Sequence, residues 1–173
     1  MNLAAYKQDA LKGLYRAKPF FYLFAFIVLA FSYFASRYSI SFNVAISDCL
    51  NSRVFLIDTW DKRVYEGQLI AFQMNVETTF YETGDIWVKK VGATGNKVVN
   101  VDENAITTNT QYFPLSAAYV LERLERQPES LQAKWQLKED EIFMIGETLT
   151  SLDSRFWGPI NSTDVRGRAY AIL

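Results

Sequence analysis

An uncharged apolar segment near the N-terminus places the strongest constraint on the fold. Residues 19–36 read PFFYLFAFIVLAFSYFAS and contain no Asp, Glu, Lys or Arg. As a helix rising 1.5 Å per residue, this segment would extend about 27 Å, close to the roughly 30 Å hydrocarbon core of a bilayer. Pro19 suits the first turn of such a helix, because its missing N–H would have no partner there. The segment therefore predicts one N-terminal transmembrane helix.

The charges that flank this segment predict its orientation. Residues 1–18 contain four basic residues and one acidic residue, whereas Arg37 is followed by no charge until Asp48. Because the more basic flank stays in the cytoplasm, we expect residues 1–18 to form a cytoplasmic tail and residues 40–173 to lie outside it. Two alternatives stay open: a buried helix, and a cleaved signal peptide with Ala30-Phe31-Ser32 as its cleavage site.

The absence of histidine limits the chemistry of this chain. Its 173 residues include no histidine and a single cysteine, Cys49, so no internal disulfide can form. Serine–histidine and cysteine–histidine catalysis are excluded, as are most catalytic zinc sites. A proton-transfer catalyst would need a lysine, a carboxylate or a tyrosine as its base. The net charge of −1 gives no reason to expect nucleic acid, and we predict no cofactor and no metal site.

Short apolar runs broken by turn residues dominate the chain after about residue 40. Many such runs at close spacing predict a mostly β domain. They lie at residues 54–57, 68–72, 86–88, 97–101 and 141–145, with glycines between them.

One stretch has helical rather than strand periodicity. In residues 115–126, apolar residues recur at positions 115, 118, 121 and 124, and the stretch stops at Gln127-Pro128. We therefore predict a helical insertion in the β domain at about residues 115–136, with a second turn through residues 129–136. Such an insertion is more typical of a packing or interface element than of a cofactor site.

Cys49 is the first candidate for chemistry. It lies in Ser47-Asp48-Cys49, shortly after the apolar segment. A thiolate is a much stronger nucleophile than a hydroxyl, but it needs a nearby base or cation to form. The alternative is that Cys49 is a small buried hydrophobe, which composition alone favours.

Lys89 and Lys90 form the second candidate, at the end of the apolar run Ile86-Trp87-Val88. Alternation along a strand sends adjacent side chains to opposite faces, so one lysine can point inward while the other is solvated. An ammonium among apolar neighbours loses solvation, its pKa falls, and the neutral amine becomes available as a base. Two surface lysines at a strand end are the alternative.

The third candidate is the polar segment GETLTSLDSRFWG at residues 146–158. Its small polar residues lie beside Asp153 and Arg155, which could pair and hold a loop in shape. Ser151 could then present its hydroxyl to a neighbour. A loop with a purely structural role is the alternative.

Three segments resemble those of a known family and occur in its order. Residues 151–160, SLDSRFWGPI, resemble the box S-x-D-S-R-[YF]-[WF]-G-x-[IV] of the type I signal peptidase superfamily, most closely its conjugative-transfer branch, the TraF-like pilin-processing peptidases. Residues 87–92, WVKKVG, resemble its lysine box. Residues 65–72, YEGQLIAF, resemble the box after the nucleophile, with Gln68 replacing the usual acid. The resemblance implies a partly open β barrel of coiled sheets.

The resemblance also implies a role for each matching side chain. Lys89 is implied to be the general base and Lys90 its solvated neighbour. Ser151 is implied to orient the Lys89 amine, and Asp153 and Arg155 to brace the loop without touching substrate.

The nucleophile box departs from the family pattern. In the conjugative branch it reads roughly [ST]-x-S-x-P-x-G-x-[YF], and this register falls on residues 47–55, SDCLNSRVF. Cys49 then occupies the serine position, Asn51 the proline and Arg53 the glycine. Ser47 falls on the hydroxyl that helps to stabilise the oxyanion. Two alternatives stay open: Ser47 as the nucleophile in a shifted register, and a site without catalysis.

These roles imply a membrane-bound endopeptidase that cleaves a secreted precursor by acyl transfer. For this branch the expected substrate is a pilin-like precursor, and some members also join pilin ends into a circle. The expected location is the bacterial inner membrane, crossed once, with the peptidase domain in the periplasm. The competing expectation is an inactive membrane-anchored component of a conjugation or secretion apparatus that uses the same domain for binding.

Overall fold

The structure, a computed structural model, describes residues 3–42, 49–75 and 84–173, with only the backbone described for residues 3–14 and for residue 16. The chain divides into two compact units, Met1–Tyr38 and Ser39–Leu173. Ser47 lies outside the described residues.

The first unit is a single long helix, α1, at Leu3–Arg37. The most apolar 18-residue stretch within residues 17–37 has a mean hydropathy of 1.8, and none of it is buried. Their length and composition suit a membrane anchor or a signal sequence equally well. Pro19 lies inside α1 rather than in its first turn, because residues 3–18 consist mostly of good helix formers and extend the helix towards the N-terminus.

The described strands of the second unit form two sheets. The seven-stranded sheet has the order β1-β2-β11-β3-β4-β9-β10, and the four-stranded sheet has the order β7-β6-β5-β8. Both orders end in edge strands among the described residues, and the predicted mostly β class is confirmed. The strands are β1 (Tyr38–Phe42), β2 (Val54–Asp58), β3 (Leu69–Gln73), β4 (Ile86–Thr94), β5 (Val98–Val101), β6 (Ile106–Thr108), β7 (Tyr112–Phe113), β8 (Lys134–Gln136), β9 (Glu141–Ile145), β10 (Ile160–Asn161) and β11 (Val165–Ala171).

Strand β4 lies in the middle of the larger sheet, between β3 and β9. The three strands are antiparallel neighbours, with Lys89 opposite Ile70 in β3 and Val91 opposite Met144 in β9. Ile70, Val91 and Met144 are fully buried in one apolar cluster. The register between β4 and β9 shifts at Gly92, as in a β-bulge. Any side chain of β4 that points into this core is therefore surrounded by apolar groups.

The helical insertion is present but shorter than its sequence pattern predicted. Helix α2 spans Ala118–Arg123, and one 3-10 turn follows at Pro128–Ser130. Glu125 has a φ of 52°, a conformation that does not continue a helix. Residues 134–136, which we predicted to be helical, form β8 and pair with β5. The error arose because sheet pairing overrides the local propensity of a three-residue segment.

Candidate active site

The two adjacent lysines of β4 lie in different environments. Lys89 is 1 % exposed, whereas the side chain of Lys90 is 33 % exposed. The strand alternation accounts for the difference, since neighbouring residues of a strand point to opposite faces. Trp87 shares the face of Lys89, and its ring centroid lies 5.6 Å from the Lys89 Nζ atom.

The Lys89 amine has two hydrogen-bond partners, one hydroxyl and one thiol. Its Nζ atom lies 3.0 Å from the Oγ atom of Ser151, which is fully buried. It also forms a hydrogen bond with the side chain of Cys49, which is 3 % exposed. These contacts bring together three side chains from separate parts of the chain, in the immediate surroundings of one amine.

Burial lowers the pKa of Lys89 below its ordinary value of 10.5. The loss of solvation is the largest cause, because an ammonium without water is disfavoured relative to the neutral amine. Interactions with Cys49 and with the Asp153 carboxylate oppose the shift, whereas the Arg155 guanidinium adds to it. The site thus contains an amine that gives up its proton more readily than a surface lysine does.

Gly146 allows Ser151 to approach the site. A Cβ atom at position 146 would lie 1.7 Å from the Ser151 Oγ atom and 3.0 Å from the carbonyl oxygen of Cys49. The next residue, Glu147, donates its backbone N–H to that same carbonyl at 2.9 Å. Gly146 and Glu147 therefore pack directly between the segment of Cys49 and Ser151.

Asp153 and Arg155 form a buried ion pair that shapes the 146–158 loop. The guanidinium binds the carboxylate through two bonds, from Nε to Oδ1 at 2.8 Å and from Nη2 to Oδ2 at 2.9 Å, and both side chains are fully buried. The second carboxylate oxygen also accepts the Gly146 N–H at 3.1 Å. The pair therefore fixes the backbone at Gly146, next to Ser151, and does not itself contact the Lys89 Nζ atom through any hydrogen bond recorded for the described residues.

Arg155 extends this support to the insertion. Its Nη1 atom donates to the carbonyl oxygen of Leu115 at 2.6 Å. This contact was not evident from the sequence, because a backbone carbonyl leaves no signature in the residue pattern. Leu115 lies outside any helix, three residues before α2, so this contact ties the start of the insertion to the 146–158 loop.

Ser154 is a further supporting residue that our sequence analysis did not single out. It lies in the short helix α3, Ser154–Trp157, which Asp153 caps by accepting the Arg155 N–H. The Ser154 Oγ atom accepts the backbone N–H of Met144 at 2.9 Å. The 146–158 loop is therefore tied to β9, the neighbour of the lysine strand. Its position in the S-x-D-S-R box was the only signal in the sequence.

Glu147 is the other site residue that the sequence analysis missed. Its carboxylate binds Lys90 Nζ at 3.2 Å and lies 3.5 Å from both the backbone N–H and the side-chain amide nitrogen of Asn51. Lys90, which we expected to be only a solvated neighbour of Lys89, is therefore paired with a carboxylate. The only hint in the sequence was the position of Glu147 directly after a glycine in the polar segment.

Ser47 and Gln68, two residues in the segments that resemble the family, do not contribute a described contact to the Lys89 amine. The location of Ser47 stays a prediction, because it lies outside the described residues. Gln68, which replaces the family's usual acid, has a buried Oε1 atom with no hydrogen-bond partner among the described residues. Its backbone is anchored directly before the start of β3, where its carbonyl accepts the Val91 N–H at 2.8 Å.

Comparisons with known proteins identify the family. No sequence among the curated proteins matches the chain. Among solved structures, a signal peptidase I from Enterococcus faecalis is similar, at 16 % sequence identity and a TM-score of 0.41, over 65 % of this chain and 99 % of that one. The model of the family described as signal peptidase, peptidase S26, matches residues 14–173. Because this match covers nearly the whole sequence, the chain belongs to the signal peptidase family, a family of peptidases that act on precursor proteins.

Proposed function

We propose that this protein is a membrane-anchored endopeptidase that cleaves a secreted precursor with a Cys49–Lys89 pair. The observation that carries the proposal is the buried Lys89 amine, which is hydrogen-bonded to both Cys49 and Ser151 and has a lowered pKa. A base with a lowered pKa beside a thiol is the arrangement that nucleophilic catalysis requires.

The mechanism is acyl transfer in two halves. In the first, Lys89 takes the thiol proton while the Cys49 Sγ atom attacks the scissile carbonyl, and the Lys89 ammonium then gives that proton to the departing amine. In the second, Lys89 takes a proton from a water molecule, whose oxygen attacks the thioester, and the proton returns to the Cys49 sulfur. In both halves, Ser151 keeps the Lys89 amine oriented through its 3.0 Å hydrogen bond.

Ser47 and the backbone N–H of Cys49 complete the proposed site as donors to the oxyanion. A single donor of this kind contributes on the order of 3 kcal/mol to transition-state stabilisation. Asp153 and Arg155 act indirectly, because they fix the loop that carries Ser151.

The proposed substrate is a pilin-like precursor, because the 151–160 box most closely resembles the conjugative branch. Helix α1 would anchor the protein in the bacterial inner membrane, with residues 1–18 in the cytoplasm and residues 40–173 in the periplasm. An amine in place of water as the acceptor would turn the same acyl-enzyme into a cyclising or transpeptidating intermediate. A reporter enzyme fused after Leu173 tests the topology: activity in the cytoplasm would contradict it.

The decisive experiment compares nucleophile variants of the full chain in detergent, with a candidate conjugative pilin precursor as substrate and mass spectrometry of the products. We expect cleavage by the wild type, none by Cys49→Ala, and reduced but measurable cleavage by Cys49→Ser, which restores the family's ordinary nucleophile. If Cys49→Ala cleaves normally and Ser47→Ala does not, the nucleophile is Ser47. If the wild type leaves the precursor intact, the binding-module alternative replaces the enzyme.

A further inference from the structure

Glu147 contacts the segment of the proposed nucleophile through both its backbone and its side chain. Its N–H donates to the carbonyl oxygen of Cys49 at 2.9 Å, a short bond between backbones. Its carboxylate reaches Asn51, two residues further along, at 3.5 Å from both nitrogen atoms. One residue therefore contacts this segment on either side of buried Leu50.

The direction of the Glu147 carboxylate is set by Lys90. The Lys90 Nζ atom lies 3.2 Å from the Oε1 atom, while the Asn51 contacts go to Oε2. The two oxygens thus have different partners, and the carboxylate joins β4 to the segment of Cys49. The side chains of Lys90 and Glu147 are 33 % and 27 % exposed, so water screens this ion pair only in part.

Asn51 makes this connection possible in this chain. Its backbone N–H and its side-chain amide both donate to the Glu147 carboxylate. A proline, which the family pattern has at this position, has no N–H to donate. The residue that departs from the family pattern is therefore the one that reaches Glu147.

We propose that Lys90 and Glu147 are positioning residues that hold Cys49 against Lys89. This inference rests on the proposed function, in which the Cys49 thiol and the Lys89 amine react together. Consecutive residues of β4 then act on the same segment in two ways: Lys89 contacts the thiol, and Lys90 fixes the backbone that carries the thiol through Glu147. The distance between sulfur and amine depends on both.

Two readouts test this role in the full chain. The first is cleavage of the pilin precursor, with kcat and KM measured separately. We expect kcat to fall about 3- to 10-fold in Lys90→Met and in Glu147→Gln, and about 10- to 50-fold in Glu147→Ala, with KM within twofold of the wild type. Glu147→Gln keeps an oxygen for Asn51, but it removes the charge and replaces the oxygen that accepts from Lys90 with an NH2 group. Adding Lys90→Met to Glu147→Ala should cost nothing further, since residues that act through one contact are not additive.

The second readout needs no peptidase activity. Cys49 is the only cysteine, so iodoacetamide reports on this thiol alone. At pH 9.5 an ordinary thiol is mostly ionised, and the alkylation rate then reflects access to the buried sulfur. We expect the rate to rise at least threefold in Lys90→Met and in Glu147→Ala, while turnover falls.

The matched control is Lys138→Met, which removes another ion pair, Lys138–Glu141 at 3.3 Å, away from this segment. It should leave both readouts unchanged. The inference is overturned if Lys90→Met and Glu147→Ala behave like this control, or if their thermal midpoints fall enough for global unfolding to explain the alkylation. If neither the wild type nor any variant cleaves the precursor but alkylation changes as expected, the positioning role stands and the peptidase function fails.

Discussion

Lys89 and Lys90 are adjacent residues of one type, yet the strand places them in different chemical environments. Lys89 has lost nearly all contact with water and has a lowered pKa, whereas Lys90 is one-third exposed and paired with the Glu147 carboxylate. The difference shows that the surroundings, and not the residue type, decide which lysine can serve as a base. Substitutions at either lysine, or at the residues around them, therefore test this difference.

Replacing Lys89 should have the largest effect. In Lys89→Met the side chain keeps its length but has no proton acceptor, and we expect kcat/KM to fall by about 10³-fold or more. Lys90→Met should lose only a few-fold, because its amine does not contact the thiol. Precursor cleavage by the two purified variants measures the contrast. Equal losses would show that the two environments do not differ in function.

Gly146→Ala should disrupt the buried side of the comparison without touching either lysine. Its Cβ would fall 1.7 Å from the Ser151 Oγ atom, so Ser151 or the loop has to move away from Lys89. We expect about a 10²-fold loss of kcat/KM together with a lower thermal midpoint. Gly67→Ala is the control, since a Cβ there meets nothing within 4 Å, although its φ of +83° adds backbone strain. Normal cleavage by Gly146→Ala would contradict the placement of Ser151.

Trp87 should tune the pH dependence of the buried lysine. The face of an aromatic ring favours a nearby ammonium, so Trp87→Leu should lower the pKa of Lys89 further. Catalysis needs the neutral amine. The acidic limb of the pH profile of kcat/KM, which reports the Lys89–Cys49 pair, should therefore move to lower pH by about 0.5–1 unit. The measurement is kcat/KM against pH.

Trp157→Leu is the matched control for this test. Trp157 packs edge-on against Trp87 at 5.5 Å between ring centroids, so both variants disturb the same aromatic pair. We expect no shift of the limb in Trp157→Leu. A shift to higher pH in Trp87→Leu would mean that the ring acts mainly by excluding water from Lys89.

The smallest effect should be on stability as a function of pH. Because the pKa of Lys89 is lower in the folded state than its ordinary 10.5, the unfolded state binds more protons between those two values. The free energy of unfolding should therefore rise as pH increases through the folded pKa, and level off above 10.5. Urea unfolding in detergent should show this rise in the wild type and in Lys90→Met, and a reduced rise in Lys89→Met. An unchanged slope in Lys89→Met would mean that this amine is not the group responsible.

The sequence predicted those features that follow from the alternation of side chains along a strand or from a specific motif. Period-two alternation predicted that Lys89 and Lys90 face opposite ways, and the 151–160 box pointed to the family that the comparisons identify. The mostly β class followed from the spacing of short apolar runs. These features depend on neighbouring residues, which a single sequence displays directly.

Contacts between distant segments could not be predicted in this way. The Glu147 carboxylate reaches Asn51 across 96 positions, and Arg155 reaches the Leu115 carbonyl across 40. A backbone oxygen or an ordinary surface acid has no pattern that marks its partner. The strand at residues 134–136 was missed for the same reason, since its pairing with β5 is what makes it a strand. The catalytic roles of Cys49, Ser47 and Lys89 stay predictions.

The Lys89–Ser151 contact has a consequence for the order of folding. The two residues are 62 positions apart, so a large loop must close before the amine is enclosed. Closing such a loop costs entropy that is recovered only when the last segment docks, which makes contacts of this kind slow to form. Until residues 146–158 have been synthesised and docked, Lys89 would keep an ordinary, hydrated ammonium. The nascent chain would therefore carry no active base until its C-terminal part is in place.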